Sequence, residues 1–156
     1  METIEQIKED EGGYSSEVYL CTAGKLTWLY GRNIEDRPIA DNEWAELAFI
    51  LGRTGTMKEW ALSLFNHEIN IIKCELIERN FFLDDYPEEV TVIIINMAYN
   101  MGLTKFNPEK WPNFFTAIKD RDWKLAAAHG RDSLWFFQVG NRSMRLMKSL
   151  ERVESD

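Results

Sequence analysis

The sequence predicts an α+β protein that is mostly helical, with a small N-terminal β-hairpin lobe, a long helix and a helical C-terminal lobe. Three observations lead to this prediction. Residues 14–34 lose helical periodicity and carry β-prone side chains between turn residues. Residues 57–79 place apolar side chains at helical spacing, and the chain beyond residue 84 keeps a helical pattern.

We expect one domain over residues 1–156, with lobes at about 12–56 and 80–156 and a first helix over 1–11. The connecting helix is expected over about 57–79. Such a helix is on the order of 35 Å long, enough to join two lobes. Clefts between lobes often hold ligands, so we expect the functional site there.

The N-terminal elements follow from amphipathic spacing and turn residues. Residues 1–10 predict a short first helix, and Ala23-Gly24 suits the turn of an antiparallel sheet with two or three strands. Asp41 or Asn42 is expected to cap the next helix, which Gly52 ends.

The middle of the chain carries further capping and stop signals. Thr56 and Glu59 form a capping-box pattern at the start of the long helix. Acidic residues and a proline at 84–89 predict the start of the next helix. The apolar run after them, VTVIIINMAYNM, predicts that this helix is buried in the centre of the C-terminal lobe, and Gly102 is expected to end it.

Three or four short helices are expected beyond Asn107-Pro108. Residues 112–120 are amphipathic and predict the first of them. Asp122 is expected to cap a helix that Gly130 ends, and Asn141 is expected to cap the last helix.

Composition and charge narrow the classes of function. The chain has 156 residues, 45% hydrophobic residues and a net charge of -8. This charge argues against nonspecific binding to nucleic acid or to anionic membranes. No apolar run approaches the roughly 20 residues that span a bilayer, and the N-terminus has no signal-peptide pattern. We therefore expect a soluble cytoplasmic protein with no stable membrane association.

The cysteines and histidines suggest neither a metal nor a cofactor. Cys21 and Cys74 are expected to be reduced thiols, because two cysteines do not make a disulfide framework. His67 and His129 do not cluster with Cys74. No phosphate-binding loop, GxSxG motif or dinucleotide fingerprint occurs, so we expect no metal and no cofactor.

The stretch from Asp10 to Arg32 carries the candidate chemistry. It places a carboxylate, Glu11, at the expected end of the first helix and follows it with a polar hairpin that contains Cys21 and Thr27. Without further evidence, Glu11 can also be an ordinary solvent-exposed acid at the end of a helix.

Three blocks of residues carry a resemblance to a known family. They are Glu11-Gly12 with Tyr19, Gly24, Thr27 and Tyr30-Gly31; Leu64-Phe65-Asn66; and Ile95 to Gly102 with Trp123, Ala126-Ala127, Trp135 and Asn141-Arg142. Their order and spacing, from about residue 4 to residue 148, resemble those of the phage-type lysozymes and endolysins (glycoside hydrolase family 24). The resemblance implies a lysozyme-like two-lobe fold.

The resemblance also implies an activity, the cleavage of the β-1,4 bond between N-acetylmuramic acid and N-acetylglucosamine in peptidoglycan. It assigns the catalytic positions to Glu11, Cys21 and Thr27. The pattern is Glu-x9-Cys-x5-Thr, and its first gap is one residue longer than is usual in the family. The segment from Leu29 to Arg32 stands where the family has Gly-x-Gly-His.

Glycoside cleavage needs a proton for the leaving oxygen and a group that supports attack from the far side. Glu11 is the expected general acid. Cys21 stands where a carboxylate usually stands, and a thiol with a pKa of about 8.5 is mostly protonated at neutral pH. Its thiolate can activate the attacking water, which inverts the configuration at the anomeric carbon; we favour this role. It can also attack the sugar directly, which retains that configuration. Alternatively, Cys21 is an inert hairpin residue. Thr27 is expected to hold the attacking water through its hydroxyl. Its alternative role is that of a β-prone residue in the hairpin without a part in catalysis.

The remaining site residues are carried over from the resemblance as substrate contacts or supporting groups. Asn33, Tyr99, Phe114 and His129 are expected to contact the sugars, and Arg142 to lie near the catalytic Glu. Tyr99 can instead be a plain core residue. His129 can instead be favoured by the dipole at a helix C-terminus. A salt bridge at a helix start is the alternative role for Arg142.

Membership of this family implies a phage endolysin that waits in the host cytoplasm and reaches the periplasm through a holin. The expected partner is bacterial cell-wall peptidoglycan, and a monomer is expected. The alternative is a lysozyme-fold protein with weak or no activity, which binds peptidoglycan or serves as a structural part of the virion.

Overall fold

The structure, a computed structural model, describes residues 1–21, 24–53 and 55–155. Helices dominate it, and a three-stranded antiparallel sheet lies near the N-terminus, so the predicted α+β, mostly helical class is confirmed. In chain order the elements are α1 (Ile4–Asp10), β1 (Ser15–Leu20), β2 (Leu26–Leu29), β3 (Arg32–Asn33), α2 (Asp41–Leu51), α3 (Met57–Glu78), α4 (Glu88–Met101), α5 (Pro112–Lys119), α6 (Trp123–Arg131), α7 (Leu134–Val139) and α8 (Asn141–Glu151).

The chain folds into two compact units. One comprises Ile7–Asn70 and is called the sheet unit below. The other comprises Met1–Gln6 and the chain from Ile71 onward, and is called the helical unit. The boundaries fall inside α1 and α3. Within the described residues, no helix is both long enough and apolar enough to cross a membrane.

The sheet unit is built around aromatic side chains from strand β2 and helices α2 and α3. Trp28, Trp44 and Trp60 meet with ring centroids 5.6–5.9 Å apart. The indole nitrogen of Trp60 donates a hydrogen bond of 2.9 Å to the Glu43 carbonyl oxygen. Such rings bury large apolar areas and therefore anchor the sheet on the helices.

The helix caps in the sheet unit agree only in part with the predicted ones. The Thr56 hydroxyl accepts a hydrogen bond from the Glu59 amide at 3.2 Å, as the capping pattern predicts. Gly52 follows α2, also as predicted. The predicted cap at Asp41 or Asn42 is wrong, because both residues lie inside α2. Ala40 is the N-cap, and its amide donates to the Glu43 carboxylate instead. Of the predicted turn Ala23-Gly24, Ala23 lies outside the described residues.

Helix α4 is the buried centre of the helical unit, as its apolar run predicts. Every residue from Val92 to Tyr99 is buried. The helix begins at Glu88, after the predicted proline, and Asp84-Asp85 belong to a preceding 3-10 turn. Gly102 ends the helix with a φ of +79°, which glycine adopts readily.

Two predicted signals in the last helices are wrong. Gly130 does not end α6 but lies inside it, and a Cβ there would fall 2.2 Å from the Met147 sulfur of α8. The glycine therefore lets two helices approach closely. Asn141 does not cap α8 either; the cap is Gly140, whose φ is +80°. Asp122 caps α6 as predicted, by accepting a hydrogen bond from the Leu125 amide at 3.0 Å.

Candidate active site

Glu11 is presented by the C-terminal end of α1. Its amide donates to the Ile7 carbonyl oxygen at 3.0 Å, so the helical hydrogen bonds reach Glu11 itself. Gly12 and Gly13 then take φ values of +89° and +77°, and the Gly13 amide donates back to the Lys8 carbonyl oxygen at 2.8 Å. Glycines in this conformation are a common helix stop. The sequence GG thus turns the chain sharply away just after the carboxylate.

The backbone of Gly31 packs directly against the side chain of Glu11. A Cβ placed on Gly31 would lie 2.5 Å from Glu11 Cβ and 2.8 Å from Glu11 Oε2. Only a residue without a Cβ permits this approach, and the φ of +73° at Gly31 also favours glycine. The turn between β2 and β3 therefore forms one wall of the space around the carboxyl group.

Three side chains form a row across the sheet. Tyr19 of β1 pairs with Thr27 of β2, and Thr27 pairs with Asn33 of β3. Residues paired in this way point to the same face of a sheet, with Cβ atoms about 4.5–5.5 Å apart. Cys21 is two residues beyond Tyr19, and its amide donates to the Lys25 carbonyl oxygen at 2.9 Å. Cys21 thus directly follows the end of β1 and is tied to the residue before β2.

Tyr19 links the two predicted catalytic groups electrostatically. Burial raises the pKa of its phenol, and the negative charges of Glu11 and Cys21 raise that pKa further. Both groups therefore act on the Tyr19 side chain from within the same unit. Glu11, Cys21 and Thr27 thus all belong to the sheet unit, where Thr27 pairs with Tyr19 and the other two act on its pKa.

The long first gap in the Glu-x9-Cys-x5-Thr pattern coincides with an irregular pairing of the strands. The register between β1 and β2 shifts between Ser15 and Tyr19. The Ser15 hydroxyl donates to the Glu17 carbonyl oxygen at 2.6 Å and accepts from the Glu17 amide at 3.3 Å. Four positions of β1, from Ser15 to Tyr19, oppose two positions of β2, from Leu29 to Thr27, so the irregularity takes up two residues of β1. The Tyr19–Thr27 pair thus keeps regular geometry despite the longer gap.

Thr27 and Asn33 differ in how their polar atoms are used. Thr27 is 4% exposed, and its hydroxyl donates to the Lys25 carbonyl oxygen at 3.0 Å. The hydroxyl oxygen can still accept hydrogen bonds. The Asn33 amide oxygen accepts from the Glu35 and Asp36 amides, and its nitrogen donates to the Asp36 carboxylate at 2.9 Å. Asn33 therefore organises the loop that follows β3.

The other predicted site residues lie in the helical unit. Tyr99 is on α4 and is 7% exposed. Phe114 is on α5 and only 1% exposed, with its ring among those of Phe106 and Trp111. Arg142 is in the first turn of α8, and its Nε donates to an amide oxygen of Asn96 on α4 at 2.8 Å. His129 lies in the last turn of α6.

An open cavity of about 730 Å³ lies in the helical unit and brings two of these residues together. Phe114 and His129 both line it, whereas Tyr99 and Arg142 do not. Two tryptophans form part of its wall: Trp111 and Trp135 meet at a centroid distance of 6.1 Å. Aromatic faces together with polar groups are typical of ligand sites.

Sequence reasoning assigned no site role to several residues that the structure places at these positions. Gly31, Tyr19 and Trp135 belong to the blocks of the family resemblance but carry no predicted site role, and Trp111 carries none either. The indole nitrogen of Trp135 donates to the Asn100 side-chain oxygen at 2.8 Å, which orients the ring at the cavity. No spacing signal in the sequence brings Trp111 to Trp135.

The polar residues form no recognisable metal site. Among the described residues, no group of three or more His, Cys, Asp or Glu side chains is arranged to hold a metal ion. Cys21 and Cys74 are both free thiols, and Cys74 is exposed.

Comparison with known proteins connects this chain with a phage protein. A search against models of protein families finds no match. The chain is similar to the pre-baseplate central spike protein Gp5 of Enterobacteria phage T4, with 29% identity over 164 aligned residues. The similarity covers 94% of this chain and 27% of the spike protein, so the chain spans about a quarter of the length of the relative that it matches.

Proposed function

We propose that this protein is a phage muramidase with a lysozyme-like fold, a member of glycoside hydrolase family 24 that cleaves the β-1,4 bond between N-acetylmuramic acid and N-acetylglucosamine in peptidoglycan. The observation that carries the proposal is the setting of Glu11. Its side chain packs on the Gly31 backbone, in the unit that also holds Cys21 and the Tyr19–Thr27 pair of the sheet. The sequence resemblance and the similarity to a phage protein support the proposal.

Glu11 acts as the general acid. Its carboxyl proton goes to the glycosidic oxygen as the bond to the anomeric carbon breaks. A positioned acid of this kind contributes about 10²–10⁴-fold to a reaction rate. The close packing against Gly31 restricts the carboxyl group to few orientations, which favours proton transfer in one direction.

Cys21 and Thr27 act on the attacking water. The Thr27 hydroxyl donates to the Lys25 carbonyl oxygen, so its own oxygen accepts a hydrogen bond from the water. The Cys21 thiolate takes the second proton as the water oxygen bonds to the anomeric carbon. Attack from the side opposite the leaving group inverts the configuration at that carbon.

The cavity of the helical unit, taken by itself, is proposed to bind sugar. Trp111 and His129 offer it an aromatic face and a polar group, whereas Phe114 is almost fully buried. Sugar rings pack on such surfaces through their C–H faces, while their hydroxyls need polar partners. Tyr99, Asn33 and the supporting Arg142 are carried into the proposal from the family resemblance alone. On the same basis the protein is a monomer that stays in the host cytoplasm until a holin admits it to the periplasm.

Release of reducing ends from purified peptidoglycan tests the proposal. Replacing the acid in Glu11→Gln is expected to slow release by about 100-fold or more, because the leaving oxygen then receives no proton. The matched control is Glu9→Gln, which changes a neighbouring exposed carboxylate of α1 and is expected to keep wild-type activity. The hydrolase proposal fails if the wild type is no faster than Glu11→Gln while all three proteins unfold at the same temperature.

A second candidate is a structural part of the virion with little or no turnover. The observation that favours it is the relative itself, which is a pre-baseplate central spike protein. Two measurements separate the candidates: cosedimentation with purified peptidoglycan, and mass spectrometry of purified phage particles. Binding without product release, together with the chain's presence in the particles, favours the structural role.

A further inference from the structure

Arg32 is the centre of a buried network of charges in the sheet unit. The residue is 8% exposed. Its Nη1 and Nη2 atoms donate to the two carboxylate oxygens of Glu43 at 2.6 and 2.8 Å, and its Nε lies 3.3 Å from a carboxylate oxygen of Glu68. Glu43 and Glu68 are each 7% exposed. A bidentate pair of this kind fixes the guanidinium in both position and orientation.

The same guanidinium also holds backbone. Its Nε donates to the Arg37 carbonyl oxygen and its Nη2 donates to the Pro38 carbonyl oxygen, both at 2.9 Å. Because Glu43 belongs to α2 and Glu68 to α3, Arg32 ties β3 and the loop after it to both helices. All of these partners lie within the sheet unit.

Arg32 ends a turn whose backbone is strained. Trp28 pairs with Arg32 across the turn, so Leu29, Tyr30 and Gly31 form its loop. Leu29 has a φ of +59°, which non-glycine residues rarely adopt. Such strain persists only where the surrounding structure holds it in place. The network of Arg32 fastens one end of this turn.

This turn is the one that touches Glu11. Gly31 precedes Arg32 directly, and it is the residue whose missing Cβ leaves room for the Glu11 side chain. A small movement of the turn would either open a gap beside the carboxyl group or press the Gly31 backbone into it. The location of Arg32 therefore determines the location of the wall against which Glu11 rests.

We propose that Arg32 is a positioning residue, whose ion pairs with Glu43 and Glu68 hold the Leu29–Gly31 turn against Glu11 and thereby set the orientation of the Glu11 carboxyl group. The catalytic consequence rests on the proposed function; the structural link to Glu11 does not. The guanidinium contacts Glu43, Glu68 and two carbonyl oxygens, and it fixes the end of the turn whose Gly31 backbone touches Glu11. Arg32 stands where the family pattern has a histidine. Its pairs with Glu43 and Glu68 are therefore a feature of this chain.

The test uses Arg32→Lys, which keeps the charge but loses the planar fork, and Glu68→Gln, which leaves the pair of Arg32 with Glu43 intact. Arg131→Lys is the matched control. Arg131 also makes a two-pronged pair, with the Glu151 carboxylate at 3.3 and 2.9 Å, but in the helical unit. All assays are made at a temperature where each variant is folded by circular dichroism.

Two readouts are taken from each protein. The first is the 13C NMR signal of the Glu11 carboxyl carbon during a pH titration, assigned by its absence in Glu11→Gln. The second is kcat and KM for peptidoglycan fragments. Arg32→Lys is expected to shift the Glu11 signal and its titration midpoint and to lower kcat by about 10–100-fold with little change in KM, because misplacement by about 1 Å costs this much. Glu68→Gln is expected to do the same to a smaller extent, and Arg131→Lys to do neither.

An unchanged Glu11 signal and titration midpoint in folded Arg32→Lys and Glu68→Gln would overturn the proposal. A merely stabilising role for Arg32 would lower the unfolding temperature without moving either quantity. A wild type without activity would refute the proposed hydrolase. In that case a shift of the Glu11 signal in the variants would still support the positioning link.

Discussion

Among single residues, Cys21 bears most on the chemistry, because the proposed reaction assigns it the role of the base. Its thiol must lose a proton to serve that role. An ordinary thiol with a pKa of about 8.5 is only slightly ionised at neutral pH. An aspartate in the same place would be ionised throughout, since its usual pKa is about 3.9.

Cys21→Asp is therefore expected to be more active than the wild type near neutral pH, because an aspartate is ionised there whereas an ordinary thiol is mostly protonated. Cys21→Ala is expected to lose about 100-fold or more, the usual contribution of a positioned base. Rates of reducing-end release between pH 6 and pH 9 measure both effects.

The control for this experiment is Cys74→Ser, which removes the exposed thiol and is expected to keep wild-type activity. In that background, alkylation reports on Cys21 alone and should abolish cleavage. Equal rates for Cys21→Ala and the wild type would make Cys21 a bystander.

A glycine that ends a helix and a glycine at a contact between helices look alike in the sequence. Gly102 has a positive φ and ends α4, as the sequence indicates. Gly130 follows the same pattern of a glycine near the end of a helical run, yet it serves the contact of α6 with Met147 of α8. A stop signal is local and can be seen in the sequence. A close approach depends on a helix that begins 11 residues later at Asn141, and the sequence does not reveal it.

At the scale of elements, the sheet unit joins its strands to α2 and α3 through the buried pairs of Arg32. β-prone residues predicted the strands, cap and stop residues predicted α2, and the spacing of apolar residues predicted α3. The pairs themselves were not predicted. Glu43 and Glu68 lie 11 and 36 residues beyond Arg32, and in the sequence they look like ordinary surface acids on helices.

The network makes the stability of the protein depend on pH. Hydrogen bonds from Arg32 hold the pKa of Glu43 below its usual value of 4.5, against the opposing effect of burial. A carboxyl group whose folded pKa is lowered stabilises the fold fully above its unfolded pKa, and this stabilisation is lost as the pH falls through the folded value. The loss therefore occurs below about pH 4.5.

Glu43→Gln is expected to be less stable at pH 7 by about 3–5 kcal/mol, because the buried Arg32 guanidinium then loses the negative charge of its two-pronged partner. The difference in the free energy of unfolding between Glu43→Gln and the wild type should shrink as the pH falls below the usual carboxyl pKa of about 4.5. Urea unfolding at several values between pH 3 and pH 7 measures it. A constant difference over this range would contradict the account.

At the scale of the whole molecule, the N-terminal residues belong to the helical unit although the chain next enters the sheet unit. Met1–Gln6 group with the residues from Ile71 onward. The side chain of Glu2 is 6% exposed, and its carboxylate accepts from Arg145 Nε at 2.9 Å and from the Ser149 hydroxyl at 3.4 Å. This contact connects residues 143 positions apart in the sequence.

Glu2→Ala is expected to lower the stability of the helical unit by about 1.5–3 kcal/mol, the usual value of hydrogen bonds to charged groups. Hydrogen exchange measures the effect by unit, and the amides of α8 should lose protection. Glu154→Ala, which changes an exposed acid near the C-terminus, serves as the control. Unchanged protection of α8 in Glu2→Ala would show that the contact contributes nothing.

The central claim concerns the bond that the protein cuts, and end-group analysis of its products tests it most directly. Purified peptidoglycan is digested with the wild type and with Glu11→Gln, the products are reduced with borohydride, and their termini are identified by mass spectrometry. The account predicts N-acetylmuramitol ends with the wild type and almost none with Glu11→Gln. Reduced N-acetylglucosamine ends, or no soluble products from the folded wild type, would contradict it.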